Sequence, residues 1–178
     1  RQDQVFAGAG ACGSITGAKR KQPMAKVYLE TSFVSYLVAR PSRDLIVAAR
    51  QQLTLAWWEK EQANHELFAS EVVLREARRG NAHEVAKRLN VLAGLQILTA
   101  SEEAERLAML LVTRHALPAH AAADALHIAV ATVHGMDYLL TWNCKHIANL
   151  TMRSAIEQTC QAAGYQPPVI GTPEEFGV

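Results

Sequence analysis

Short apolar runs alternate with segments of helical periodicity throughout residues 24–178, and that alternation constrains the fold more than any other feature. The runs KVYL (26–29), ELFA (66–69), LQIL (95–98) and DYLL (137–140) are short and rich in branched or aromatic residues, as buried strands are. Between them lie helix signals. Asp44 stands at an N-cap position before Leu45, Ala48, Ala49, Leu53, Ala56 and Trp57, whose spacing predicts a helix over 44–61. Ser70 caps a helix that stops at Arg79-Gly80, and a further helix over 83–92 ends at Gly94. Ser101 with Glu102 and Glu103 opens one that runs to about His115, with its acids at the positive end of the helix dipole. Pro118 starts another over 119–134 that Gly135 closes, and a last helix spans 151–163. Strands that each feed a helix predict a three-layer α/β/α sandwich around a mainly parallel sheet of four to five strands. Sheets of this kind place ligands at the carboxyl ends of their strands, so function is sought there.

The first 23 residues break this pattern. They are rich in Gly, Ala and polar residues and end in Lys19-Arg20-Lys21 just before Pro23 and Met24. They read as a leader or appended segment outside the fold, without the apolar stretch of a secretion signal, and residues 24–178 read as one domain. Of 18 basic and 17 acidic residues, four and one fall in this segment, which leaves 14 against 16 and a body charge of −2. A protein that grips nucleic acid by charge alone carries a basic stripe. A −2 body needs cations to approach phosphates, which favours metal-dependent chemistry over passive binding. Cys12, Cys144 and Cys160 form no disulfide or zinc pattern, which fits a reducing cytoplasm. No apolar run reaches the roughly 18 to 20 residues a membrane span requires.

Candidate functional residues gather at the predicted strand ends. Glu30 ends the first strand, and Thr31 and Ser32 follow it as hydroxyl residues able to cap the next helix through Leu37. Glu76 lies two turns into the helix after Ser70, Asp124 lies in the first turns of the helix after Pro118, and Asn143 follows the strand ending at Leu140. Three carboxylates and a side-chain amide converging on one rim supply the hard oxygen ligands that Mg²⁺ or Mn²⁺ prefers. Thr31, Ser32 and Thr141 are placed to position a water or phosphate at that rim, and Lys145 to touch one.

At VYLETS, FASEVVLREARRG, LPAHAAADALHIAVA and DYLLTWNCKHIAN the chain resembles the PIN-domain family, in particular the VapC-like toxins of type II toxin-antitoxin modules. The resemblance extends over nearly all of 24–178. Glu30, Glu76 and Asp124 match the first three acidic positions of that family, and its usual aspartate after the fourth strand falls on Asn143. The resemblance implies hydrolysis of RNA phosphodiester bonds assisted by one or two Mg²⁺ or Mn²⁺ ions, with no protein nucleophile. It also implies a cognate antitoxin protein as inhibitor and a homodimer, with the 44–61 helix and Trp57-Trp58 as contacts, the alternative for the Trp pair being that it packs. Glu30 keeps the charge of the family's aspartate on a side chain one methylene longer. Asn143 brings no charge, so the alternative is a degenerate PIN domain that binds RNA or a protein partner without cleavage.

Plainer readings stand beside these. Glu76 within LREARR suits surface pairing with its neighbouring arginines, and Asp124 suits a first-turn helix charge. Glu30, between a buried strand and a helix start, is poorly placed for solvation without a partner or cation. His120, His127 and His134 recur every seven residues, about 10.5 Å of helix rise, too far apart to share one metal. His127 reads as a core or rim histidine and His146 as a loop residue. Arg75, Arg78 and Arg79 read as solvated charges, and Cys144 as a small packing residue.

Overall fold

A computed structural model describes residues 24–176; the leader expected over residues 1–23 lies outside the described residues. Strands β1 (Lys26–Leu29), β2 (Glu66–Ser70), β3 (Gln96–Leu98), β4 (Tyr138–Leu140) and β5 (Val169–Gly171) form one sheet in the order β3-β2-β1-β4-β5. Every pairing is parallel, with Tyr28 opposite Phe68 on one side and Leu139 on the other. Seven α-helices connect them: α1 (Thr31–Val38), α2 (Leu45–Glu61), α3 (Glu71–Ala77), α4 (Ala82–Leu92), α5 (Glu102–Thr113), α6 (Ala122–Val133) and α7 (Leu150–Ala162).

The strand order decides where the helices go. The chain builds outward from β1 to β3, then returns past β1 to add β4 and β5 on the other side. Right-handed crossovers that progress in opposite directions put their helices on opposite faces. Accordingly α1 to α4 pack among themselves and α5 to α7 form a second group, which gives the three layers. The reversal falls between β1 and β4, and the crevice at such a switch point is the usual ligand position in open parallel sheets.

Local chemistry explains the boundaries. Asp44 accepts from the Val47 N–H at 2.9 Å, Ser70 from Val73 at 3.3 Å and Ser101 from Ala104 at 3.3 Å, so each caps its helix as its position suggested. Gly135 takes φ +64° after α6, and Met136 N–H donates to Ala131 C=O at 3.0 Å in a Schellman-type closure that an L side chain would strain. The segment after Pro118 begins with a 3₁₀ turn, Ala119–Ala121, before α6.

One expectation needs correction, and one open alternative is decided. Helix α1 is capped by Glu30, whose carboxylate accepts the Ser32 N–H, and not by Thr31 or Ser32. The longer Glu side chain reaches back to its own helix, and both hydroxyls serve acids instead. Trp57 is fully buried, edge-on to Phe33 at 5.3 Å and to Phe176 at 5.7 Å, so it is a core residue and not a contact for a second subunit. Its large apolar surface is removed from water inside the α1–α2 layer.

Candidate metal centre at the sheet switch point

Glu30 leaves the end of β1 with its backbone N–H still in the ladder, donating to Leu140 C=O at 3.0 Å. Its side chain is 5% exposed. Three donors converge on one oxygen, Oε2: Ser32 N–H at 3.0 Å, the Ser32 hydroxyl, and the Thr141 hydroxyl at 2.7 Å. Thr141 lies just beyond β4 and in turn accepts Asn143 N–H at 2.9 Å, so the two strands of the switch point are joined through Glu30.

Glu76, on the inner side of the short helix α3, receives the Thr31 hydroxyl and stands 3.1 Å from His127 Nε2; both meet at Oε2. Burial alone would raise its carboxyl pKa. The hydrogen bond and charge of His127, the Thr31 hydroxyl and the nearby Arg79 together outweigh burial and hold it below the usual carboxylate value. His127 is 1% exposed, and its Nδ1 lies 2.8 Å from the Tyr28 hydroxyl, which lies 2.7 Å from Ser70 Oγ. Burial pushes the Tyr28 phenol far up, so it remains a neutral hydroxyl.

Asp124 sits in the first turn of α6, three residues before His127, with Oδ2 2.7 Å from His146 Nδ1. Asn143 uses its side-chain oxygen to accept His146 N–H at 3.1 Å, which shapes the turn after β4. Lys145 is exposed on that turn, as is Cys144.

The structure thus forms two hydrogen-bonded groups side by side, Glu30 with Ser32 and Thr141 and Glu76 with Thr31 and His127, and links Asp124 to Asn143 through His146. Among the described residues, no Lys or Arg pairs with Glu30, Glu76 or Asp124, and each acid's other oxygen receives no protein donor. Ligand atoms of Glu30, Glu76 and His127 all lie within 4.8 Å of one another; Asp124 stands outside that trio, held by His146. A buried Glu30 and part-buried Glu76 and Asp124, with spare oxygens and no Lys or Arg partner, are what a divalent cation fits.

The sequence motif for PIN domains matches residues 27–143, two thirds of the chain, from β1 through the turn that carries Asn143. The chain belongs to the PIN domain family. Similar solved structures agree on the fold of this PIN domain. Mycobacterium tuberculosis VapC20, described as a sarcin-ricin loop cleaving toxin, superposes with a TM-score of 0.51 at 19% identity, covering 64% of this chain and 86% of that one. Rickettsia felis VapBC2, solved with a DNA fragment from its promoter, gives 0.54 at 14% identity, covering 83% and 98%. No curated protein matches the sequence. Among the described residues, no helix is long and apolar enough to cross a membrane.

The residue that sequence reasoning placed in the core or rim and the fold brings to the acids is His127. A signal was present: Asp124 and His127 are three apart on one helix, so they share a face. What that face opposes is decided by packing against β1.

Proposed function

We propose that this PIN domain is a metal-dependent endoribonuclease of the VapC-like toxin class, acting in the cytoplasm as a homodimer and restrained by a cognate antitoxin protein. The observation that carries this reading is the set of spare carboxylate oxygens at the switch point with no Lys or Arg paired to them. Glu30, Glu76 and Asp124 hold Mg²⁺ or Mn²⁺, with Asn143 an auxiliary ligand or water holder. When bound, the cation supplies charge neutralisation and Lewis acidity towards an RNA phosphodiester. The protein's own contribution is orientation. Thr31, Ser32 and Thr141 fix the oxygens Glu76 and Glu30 do not spare, and Lys145 lies exposed where an RNA phosphate could meet it.

The test is RNA cleavage with Mg²⁺ or Mn²⁺ by the wild type, Glu30→Gln and Asp124→Asn. Both substitutions are expected to lower cleavage by about a hundredfold or more; activity undiminished in both, or undiminished without added metal, sinks the assignment. One observation favours a second reading, a PIN domain that binds RNA or protein without cutting. The Asn143 oxygen is engaged by the His146 N–H, which leaves the rim with three acids. Calorimetric titration with Mn²⁺ that shows no binding would decide for that reading.

A further inference from the structure

We infer that His127 supplies an imidazole nitrogen to the cation held by Glu30 and Glu76, making a mixed carboxylate–imidazole centre that selects a first-row transition ion over Mg²⁺. The inference rests on the metal-dependent reading above and goes past it in donor set and ion preference.

Three features of His127 carry it. The first is distance. Its Nε2 stands 3.1 Å from Glu76 Oε2, and all three ligand atoms fall within 4.8 Å. Neighbouring ligands at right angles, each about 2.1 Å from one ion, are themselves about 3.0 Å apart. The second is the far side of the ring. Imidazoles that ligate metals are held by a hydrogen bond from the other nitrogen, which fixes tautomer and orientation. Here Nδ1 meets the Tyr28 hydroxyl at 2.8 Å, and that hydroxyl meets Ser70 Oγ at 2.7 Å. An Nδ1–H donating to Tyr28, with Tyr28 donating to Ser70, leaves the Nε2 lone pair facing the acids. The third is rigidity. Both ring and phenol are buried between α6 and β1, so little ordering is left for a metal to impose.

A nitrogen donor changes what the centre prefers. Mg²⁺ favours an all-oxygen shell, whereas imidazole raises affinity for Mn²⁺ and later first-row ions. The competing role for His127 is to donate its Nε2–H to Glu76 and never touch the ion. His127→Gln separates the two, because the amide can still donate to Glu76 but offers no imidazole.

The experiment is pulsed electron paramagnetic resonance of Mn²⁺ on the full chain, read for ¹⁴N coupling, with Mn²⁺ and Mg²⁺ affinities by calorimetry. The wild type is expected to show coupling from a directly bound nitrogen. His127→Gln is expected to lose it and to weaken Mn²⁺ at least about tenfold, while Mg²⁺ changes less than about twofold. Tyr28→Phe keeps the ring but frees Nδ1, and is expected to retain coupling with a smaller loss of Mn²⁺ affinity. Bound Mn²⁺ without ¹⁴N coupling in the wild type overturns the inference whether or not the variant folds, as does an equal loss of both ions in His127→Gln. Either result leaves the metal-dependent reading standing. Failure of the wild type to bind either ion removes both.

Discussion

The rim at the switch point has two halves built on different principles. In the β1–α3 half, Glu30 and Glu76 are each held by groups far away in the chain: Thr141, Thr31 and His127 reach them across 111, 45 and 51 residues. In the α6–β4 half a single residue does the organising, since His146 gives its ring nitrogen to Asp124 and its backbone N–H to Asn143. The first half exists only in the folded sheet and concentrates negative charge. The second is largely a turn that caps itself. An amide oxygen caps such a turn as well as a carboxylate does, so Asn143 removes a charge from the rim without disturbing its backbone. On the proposed metal-dependent reading, the weight of cation binding therefore falls on the first half.

The largest expected effect follows directly. Glu30→Gln should lower metal-dependent RNA cleavage by about a thousandfold, because a neutral amide replaces a buried charge at the point where donors from both strands meet. Asp124→Asn should cost about a hundredfold in the same assay. The reverse order of severity would place the centre in the α6–β4 half and break the comparison.

A smaller loss is expected at the organiser. His146→Gln removes the ring that fixes Asp124 while the backbone N–H to Asn143 remains, and outer partners of metal ligands typically contribute about 10- to 100-fold. Cleavage should fall within that range, with Mn²⁺ affinity falling in parallel by calorimetry. No change in either would make the Asp124–His146 contact purely structural.

The contrast between the halves also explains what was readable in the sequence. Strand-to-helix alternation, the Asp44, Ser70 and Ser101 caps and the Gly135 stop are local, and each appears where its own side chain or backbone freedom requires it. The places of the acids follow from that alternation, Glu30 at the end of β1 and Glu76 and Asp124 in the helices after β2 and Pro118. Which distant donors meet them was not readable, since Thr141 reaching Glu30 and Tyr28 anchoring His127 depend on strand register and on α6 packing over β1. Trp57 shows the same limit. Helical spacing put it on an apolar stripe but could not say whether that stripe met the core or another subunit.

Restoring the fourth acid sharpens the comparison further. In Asn143→Asp the carboxylate should still accept the His146 N–H, so thermal stability should move by no more than about 0.5 kcal/mol. Mn²⁺ affinity or stoichiometry should rise, by about tenfold in affinity, because charge returns to a rim already shaped for it. A loss of stability well beyond that range would show that the turn depends on the amide group itself.

The smallest effect tests whether the halves are separable. Cys144 is exposed beside Asn143, whereas Cys160 is buried in α7, where burial pushes its thiol up with only partial relief from Thr132. A maleimide should therefore modify Cys144 in the native protein and reach Cys160 only on unfolding, as peptide mapping by mass spectrometry would show. If the β1–α3 half carries the ion, modification at Cys144 should leave Mn²⁺ affinity within about twofold of a Cys144→Ser control treated in the same way. A bulky group on the turn crowds Asn143 and Lys145 but reaches Glu30 through no bond the turn controls apart from the Thr141 hydroxyl and the Trp142 N–H that Ser32 Oγ accepts at 2.8 Å. A loss of tenfold or more would mean that the turn and the buried acids act as one site.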